Sequence, residues 1–276
     1  MAGSIKCAVS VWNFGEEGVT LPQLVREFAD MGYDGMSFLP HQITTLDDVG
    51  AAELRDVLDE RGLFTTVHGA STDSRDMVAC VLEVLEARIV NLTFDAAMTS
   101  TSVGTFYDTE RMTALLRDVE ELSRGTELAF GIEDFPLDAR ALDHYREHLT
   151  PLLECPRFGM LLDIGHLNLR CTQNAYFSAQ SESEYIANAP LRIIEVHVHD
   201  NDGTRDSHGH FGFGNIDFVA VARGLVDTGF DGISTIEICP AFHQSTPAAS
   251  RPYAKLDLDQ WRELMKNAEE CPCTIA

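Results

Sequence analysis

The chain is short of positive charge: 20 Lys and Arg stand against 44 Asp and Glu in 276 residues, a formal net charge of −24. Such a surface repels phosphate backbones and anionic headgroups at long range, so neither nucleic acid nor a membrane is an expected partner. Long apolar runs are missing as well. The opening MAGSIKCAVSVWNFGEEG has too short a hydrophobic stretch for a signal peptide, and no later run approaches the ~20 residues that span a bilayer. Cysteine is sparse and odd in number, seven scattered along the chain, which does not read as a disulfide framework and points to a reducing cytoplasm. Cys271 and Cys273 read as an incidental tail pair. No linker-like or low-complexity stretch interrupts the pattern, so a single domain, 1–276, is expected.

What is present is a repeat of two periodicities. Short apolar segments at 5–12, 34–39, 64–69, 88–94, 127–134, 158–164, 192–199 and 232–239 read as strands and alternate with helix-period segments. Leu21, Leu24, Val25 and Phe28 make one apolar stripe, and Met77, Val81, Leu82 and Leu85 a second. Eight strand-then-helix units in a chain near ~250 residues predict a parallel (β/α)₈ barrel, since each parallel strand needs a crossover helix. The longest irregular segments, 95–104 and 164–190, follow strands and so belong to the barrel's C-terminal face, where barrel enzymes carry their sites.

Strand parity then brings chemistry to that face. In IIEVHVHD, Ile194, Val196 and Val198 suit contact with helices, which turns Glu195, His197 and His199 inward. By the same parity Glu133, Glu237, Asp163 and His68 point inward at the tips of their strands, with His166 just beyond one of them. A barrel interior is normally aliphatic, and three carboxylates with two or more imidazoles would repel or strand one another without a cation. A divalent metal is the simplest reconciliation. In the polar loop that follows, Asp206-Ser207-His208 sets a carboxylate and an imidazole two apart, a spacing that lets both reach one ion. His199 and His210 are either supporting groups or core residues. The pair His144/His148 lies on a probable helix and reads as exposed, and His41 and His243 carry less signal still.

The ordered set of Glu133 in GIEDFP, Asp163-x-x-His166 in LDIGHL, His197 in HVHDND, Asp206-x-His208 before FGFGNIDF, and Glu237 in TIEICP resembles the xylose isomerase-like TIM barrel superfamily over nearly the whole chain. That superfamily takes in sugar isomerases and epimerases, inosose dehydratase and the endonuclease IV type of abasic-site nuclease. The resemblance implies one divalent ion held by Glu133, Asp163, His197 and Glu237, with the two glutamates as the acid–base pair; that oxygen-rich set suits Mn²⁺, Mg²⁺ or Co²⁺, whereas His166, Asp206 and His208 would suit Zn²⁺. In the nuclease branch the residues matching His68, His166, Asp206 and His208 bind further zinc ions. The fourth strand departs from that branch, because VNLTFD offers Leu92 or Thr93 where the nucleases carry a histidine, and a neutral hydroxyl is a poor zinc ligand. A second ion at His166, Asp206 and His208 is retained as an expectation; a three-zinc cluster is not.

The expected activity is a metal-dependent sugar isomerase or epimerase, an enzyme moving a proton next to the carbonyl of a ketose-type carbohydrate through a metal-stabilised enediolate. His68, His199 and Arg205 are the candidates for holding substrate oxygens. The first alternative is a dehydratase of keto-polyols; next come an endonuclease IV-like phosphodiesterase, which the net charge opposes, and a non-catalytic sugar-binding barrel, which the presence of both glutamates opposes. A homo-oligomer is compatible with all of these. Segments 13–20, 40–46, 95–104 and 167–190 are expected to set the substrate.

Overall fold

The computed structural model of the protein describes residues 5–96, 98–101, 104–134, 143, 147–148, 150–173 and 180–270. Cys271, Cys273 and His144 lie outside them. Ten strands are present among the described residues: β1 (Lys6–Ser10), β2 (Gly35–Phe38), β3 (Phe64–Gly69), β4 (Ile89–Phe94), β5 (Met98–Thr101), β6 (Gly104–Tyr107), β7 (Ala129–Glu133), β8 (Phe158–Asp163), β9 (Ile193–Val198) and β10 (Ile233–Ile236). All but β5 and β6 hydrogen-bond in the order β1-β10-β9-β8-β7-β4-β3-β2, a closed barrel of eight strands. Each strand read from apolar runs is there, trimmed by a residue or more at one or both ends in all but one.

The pair β5–β6 was not expected. It is an antiparallel two-stranded sheet, Met98 opposite Tyr107 and Thr101 opposite Gly104, within the segment read as irregular. Its first strand, MTST, is mostly hydroxyl-bearing and gives no alternation of apolar and polar residues for a sequence reading to find.

Two compact units make up the chain: one of Met1–Asp34, Asp163–Ala189 and Glu195–Ala276, the other of Gly35–Leu162 and Pro190–Ile194. In the first, β10 pairs in parallel with β1 (Cys7 with Ser234) and with β9 (His197 with Thr235). In the second, β2, β3, β4 and β7 pair successively in parallel, and β7 pairs with β8. The helices start where the chemistry of their first residues dictates. Thr20, Asp47, Ser74, Asp108, Ser181 and Asp217 each accept a first-turn N–H with their side-chain oxygen.

Helix Leu21–Asp30 buries Leu24, Val25 and Phe28 as its periodicity predicts, while Leu21 is only half-buried and Pro22 takes the place inside. In helix Arg75–Leu85 the buried stripe is Val78, Val81 and Leu85, so Met77 and Leu82 are rotated toward the edge. A β-branched valine packs at the centre and the longer side chains cover its flanks.

Backbone contact decides one position outright. Gly131 on β7 pairs with Gly159 on β8, and a Cβ at 131 would lie 2.0 Å from the carbonyl oxygen of Gly159. Because that neighbour is backbone, it cannot rotate away. Gly131→Ala is expected to destabilise the protein by about 3 kcal/mol, the upper end of the usual range for overpacked cores, as measured by urea unfolding; a loss under about 1 kcal/mol would show that the two strands slide apart freely.

Candidate metal centre

In the first unit, β9 and β10 set a row of ionisable groups on one face. Thr235 donates to Glu195 Oε1 at 2.6 Å, and His197 Nε2 lies 3.8 Å from the same oxygen. On its other side, His197 Nδ1 is 2.7 Å from Glu237 Oε2. Alternate residues of the two strands therefore share a face, as parity predicts, while Ile194, Val196 and Val198 are buried between them in sequence. At the tip of β8, Asp163 accepts the His166 backbone N–H at 2.7 Å, and His199 Nε2 lies 3.0 and 3.1 Å from its two carboxylate oxygens. Asp163, His197 and His199 are all but inaccessible to solvent.

The loop after β9 supplies the rest. Asp206 Oδ2 sits between His166 Nε2 at 3.1 Å and His208 Nε2 at 2.8 Å, and His208 Nδ1 is 3.5 Å from Glu237 Oε1. The rings of His199 and His208 stack at 4.1 Å. His208 adopts φ 43°, a left-handed conformation that costs a non-glycine residue about 1–3 kcal/mol and persists only where the surroundings impose it. Asp200 imposes much of it: its Oδ2 accepts from the N–H groups of Gly212 and Gly214 at 2.9 Å, and its backbone exchanges two 2.8 Å hydrogen bonds with Gly209. Gly165, in LDIGHL, is needed for a different reason. A Cβ there would lie 2.0 Å from His199 Cε1, so only glycine lets that imidazole reach Asp163.

The second unit carries a smaller group. His68 on β3 bonds Thr93 Oγ1 through Nδ1 at 3.1 Å and Asp95 Oδ1 through Nε2 at 2.7 Å, and Glu133 Oε2 at the tip of β7 is 3.7 Å from the same ring nitrogen. Asp95 was missed by the sequence reading, which looked for a fourth-strand ligand at Leu92 or Thr93; it stands one residue past the strand, in VNLTFD. Trp12, 6.3 Å from the His197 ring, was missed too, since a lone tryptophan after a strand carries no metal-site signal. Arg205 is exposed, close enough to Asp202 to help lower that carboxyl, and no described hydrogen bond or ion pair joins it to the histidines.

The donor set fits a divalent ion. Ligand atoms of His199, His208 and Glu237 lie within 4.8 Å of one another, as do those of His68, Asp95 and Glu133. His199 Nδ1, His208 Nδ1 and Asp206 Oδ1 are buried atoms without a hydrogen-bond partner, which is costly for groups that nothing else satisfies. Without a metal, the imidazoles act as the counter-charge. Burial opposes ionisation of Asp163, but His166, His199 and His208 outweigh it and hold the carboxyl well below its usual range. Glu237 is likewise lowered to about 2 against burial by His197 and His208, and Asp206 is lowered against burial by His166 and His208. His208 is raised to about 9: burial works against its charge, and Glu237, Asp206 and Asp163 overcome it.

These shifts set the pH profile of the metal-free protein. A raised imidazole stabilises the fold below its ordinary value of 6.5 and loses that contribution as pH climbs through about 9; a depressed carboxyl stabilises above its ordinary value of 4.5 and loses that contribution as pH falls toward 2. Melting temperature measured in chelator is therefore expected to be highest between about pH 4.5 and 6.5 and to fall on both sides. His208→Gln should remove the His208 share of the alkaline decline; an alkaline limb identical to that of the parent would refute the assignment.

Comparison with known proteins places this geometry. The family model described as the xylose isomerase-like TIM barrel matches residues 25–263. The fructoselysine 3-epimerase of Shigella flexneri is 27% identical over 122 residues, which is 44% of this chain and 40% of that protein; the chain thus aligns with well under half the length of the curated relatives it matches. Among solved structures, D-psicose 3-epimerase from Clostridium cellulolyticum H10, crystallised with D-tagatose, superposes with a TM-score of 0.68 at 15% identity over 95% of this chain and 99% of that one. A protein from Mycobacterium smegmatis in complex with magnesium gives 0.66 at 12% identity over 96% and 97%. At these identities the structural likeness is one of fold. With the family model covering most of the chain, and the eight-stranded barrel beneath it, the protein belongs to the xylose isomerase-like TIM barrel family.

Proposed function

We propose that the protein is a divalent-metal-dependent epimerase or isomerase of ketose-type carbohydrates. The observation that carries the reading is the cluster of Asp163, His197, His199, His208 and Glu237 at strand ends and in the following loop, all but His208 buried, with carboxylate oxygens and imidazole nitrogens 2.7 to 3.5 Å apart. The sugar 3-epimerases among the relatives and structural neighbours support the same class. By the motif resemblance alone Glu133, Asp163, His197 and Glu237 would hold the ion, and His166, Asp206 and His208 another. When bound, the ion polarises the substrate carbonyl and makes the neighbouring C–H acidic.

The chain's own groups then do the proton work. Glu237 is kept ionised by His197 and His208, so at neutral pH it is a base ready to accept the proton of that C–H. Glu133, assigned as its partner on the GIEDFP motif and its place at the tip of β7, returns a proton to the other face or to the next carbon. His199, held by Asp163, and His68, held by Thr93 and Asp95, are the residues assigned to substrate oxygens. The ring of Trp12 lies tilted 6.3 Å from that of His197. Exposed Arg205 is the weakest of the substrate-binding assignments on geometry.

The purified protein is expected to carry at least one tightly held divalent ion after desalting. Less than about a tenth of an equivalent, with no rise in melting temperature on adding Mn²⁺, Co²⁺ or Zn²⁺, would sink the metalloenzyme reading.

In D₂O a true ketose substrate is expected to exchange hydrogen for deuterium at the carbon beside its carbonyl, followed by NMR across a panel of free and phosphorylated ketoses. Glu133→Gln or Glu237→Gln should lower that exchange by more than the ~10²–10⁴ lost with one acid–base group, because each also removes a ligand. Inversion at the exchanging carbon identifies an epimerase, a moved carbonyl an isomerase and loss of water a dehydratase. Cleavage of abasic DNA with no exchange in any sugar would replace the proposal with the nuclease alternative.

A further inference from the structure

Asp257 is a buried carboxylate that the proposed chemistry does not use. Helix Pro247–Glu270 packs through Ala254, Asp257, Leu258 and Trp261, spaced as an apolar stripe in which the second member is an aspartate. An ionised group on such a stripe is tolerated only where it is paired. Asp257 Oδ2 lies 2.5 Å from His210 Nδ1, and its Oδ1 accepts the Phe211 N–H at 3.1 Å. Asp257 and His210 are nearly inaccessible to solvent, and the His210 ring is wedged between Tyr253 at 5.2 Å and Phe213 at 5.6 Å.

His210 stands two residues after His208, on the same stretch of loop. Upstream of His208, His243 Nε2 holds the Ser207 carbonyl at 2.9 Å; at His208 itself, the Cys239 N–H donates to its carbonyl at 3.0 Å; downstream, Gly209 is tied to Asp200 and His210 with Phe211 to Asp257. Of these anchors, Asp257 alone binds two consecutive residues and comes from a long α-helix. It closes the downstream side of a residue whose φ of 43° would otherwise relax.

We infer that Asp257, through His210 and the Phe211 amide, is a positioning residue that holds His208 in its ligand-presenting conformation. The inference rests on the metal-centre reading above. Asp257 touches neither metal nor substrate; it sets the direction of an imidazole that does.

The test uses the full-length protein, with Co²⁺ as the probe. Asp257→Asn keeps the shape and an acceptor for the Phe211 N–H while removing the carboxylate charge beside His210, and Asp257→Ala removes both. Asp259→Asn, on the exposed face of the same helix, is the control. Co²⁺ affinity is read by chelator competition and ligand geometry by the visible spectrum of the bound ion, with the metal-free melting temperature measured alongside. Asp257→Ala is expected to weaken Co²⁺ binding by about 10- to 100-fold, the range found for groups that orient metal ligands, and to change the spectrum; Asp257→Asn is expected to do both to a smaller extent and also covers failure of the alanine variant to fold. A lowered melting temperature with parental affinity and spectrum would make Asp257 a packing residue and overturn the inference alone. A parent protein that binds no Co²⁺ would overturn the metal-centre reading and this inference with it.

Discussion

Ionised Asp163 is the constraint around which the mouth of the barrel is organised. A carboxylate without solvent access is sustainable only beside compensating charge, and three imidazoles provide it. Each of those imidazoles needs its own support. His199 reaches Asp163 because residue 165 has no side chain; His166 and His208 are held by Asp206 between them; His208 in turn leans on Glu237, which also holds His197. The groups form a connected network in which no member is satisfied alone. Networks of this kind are far more sensitive to loss of a member than pairwise contacts suggest, and on the proposal above a divalent ion would replace their mutual compensation with a single fixed charge.

Much of this was legible in the chain because two periodicities act independently. Apolar runs marked the strands, and alternation within them marked which side chains share a face; Glu195, His197 and Glu237 were read that way, and His197 lies 3.8 Å from Glu195 and 2.7 Å from Glu237. What escaped did so for identifiable reasons. Asp95 lies one residue beyond its strand, where alternation no longer applies. Val78 replaced Met77 in a core stripe because helix registers separated by one residue look alike in a sequence rich in apolar residues. The β5–β6 pair is written in threonine and serine, whose pattern carries no burial signal. Asp257 could have been suspected, since a charge at a core-facing helix position is an inconsistency, but its partner 47 residues away could not be read from spacing.

The family supplies the barrel, and the barrel supplies a place where strand ends meet; neither selects a reaction. Fold likeness at 12–15% identity reaches a protein crystallised with a sugar and another in complex with magnesium. What narrows the choice in this chain is the sort of groups gathered: several carboxylates, ionised by imidazoles, with buried donor atoms left over. On the proposal above such a site would move protons at carbon, and the acidic surface opposes a polyanion.

The anchoring of the 200–216 segment also bears on how proteins of this architecture diversify. Three amide hydrogens converge on Asp200, from Gly212, Gly214 and Ile216, and the Cβ missing at Gly214 leaves room for the Asn201 carbonyl 2.1 Å away. Adding or deleting one residue would break the count between these donors and their single acceptor. The segment is thus locked in length, unlike an ordinary surface connection that absorbs insertions at little cost. Directed evolution toward new substrates would have to leave this stretch intact and work on the other strand-end connections, where insertions leave the histidines seated.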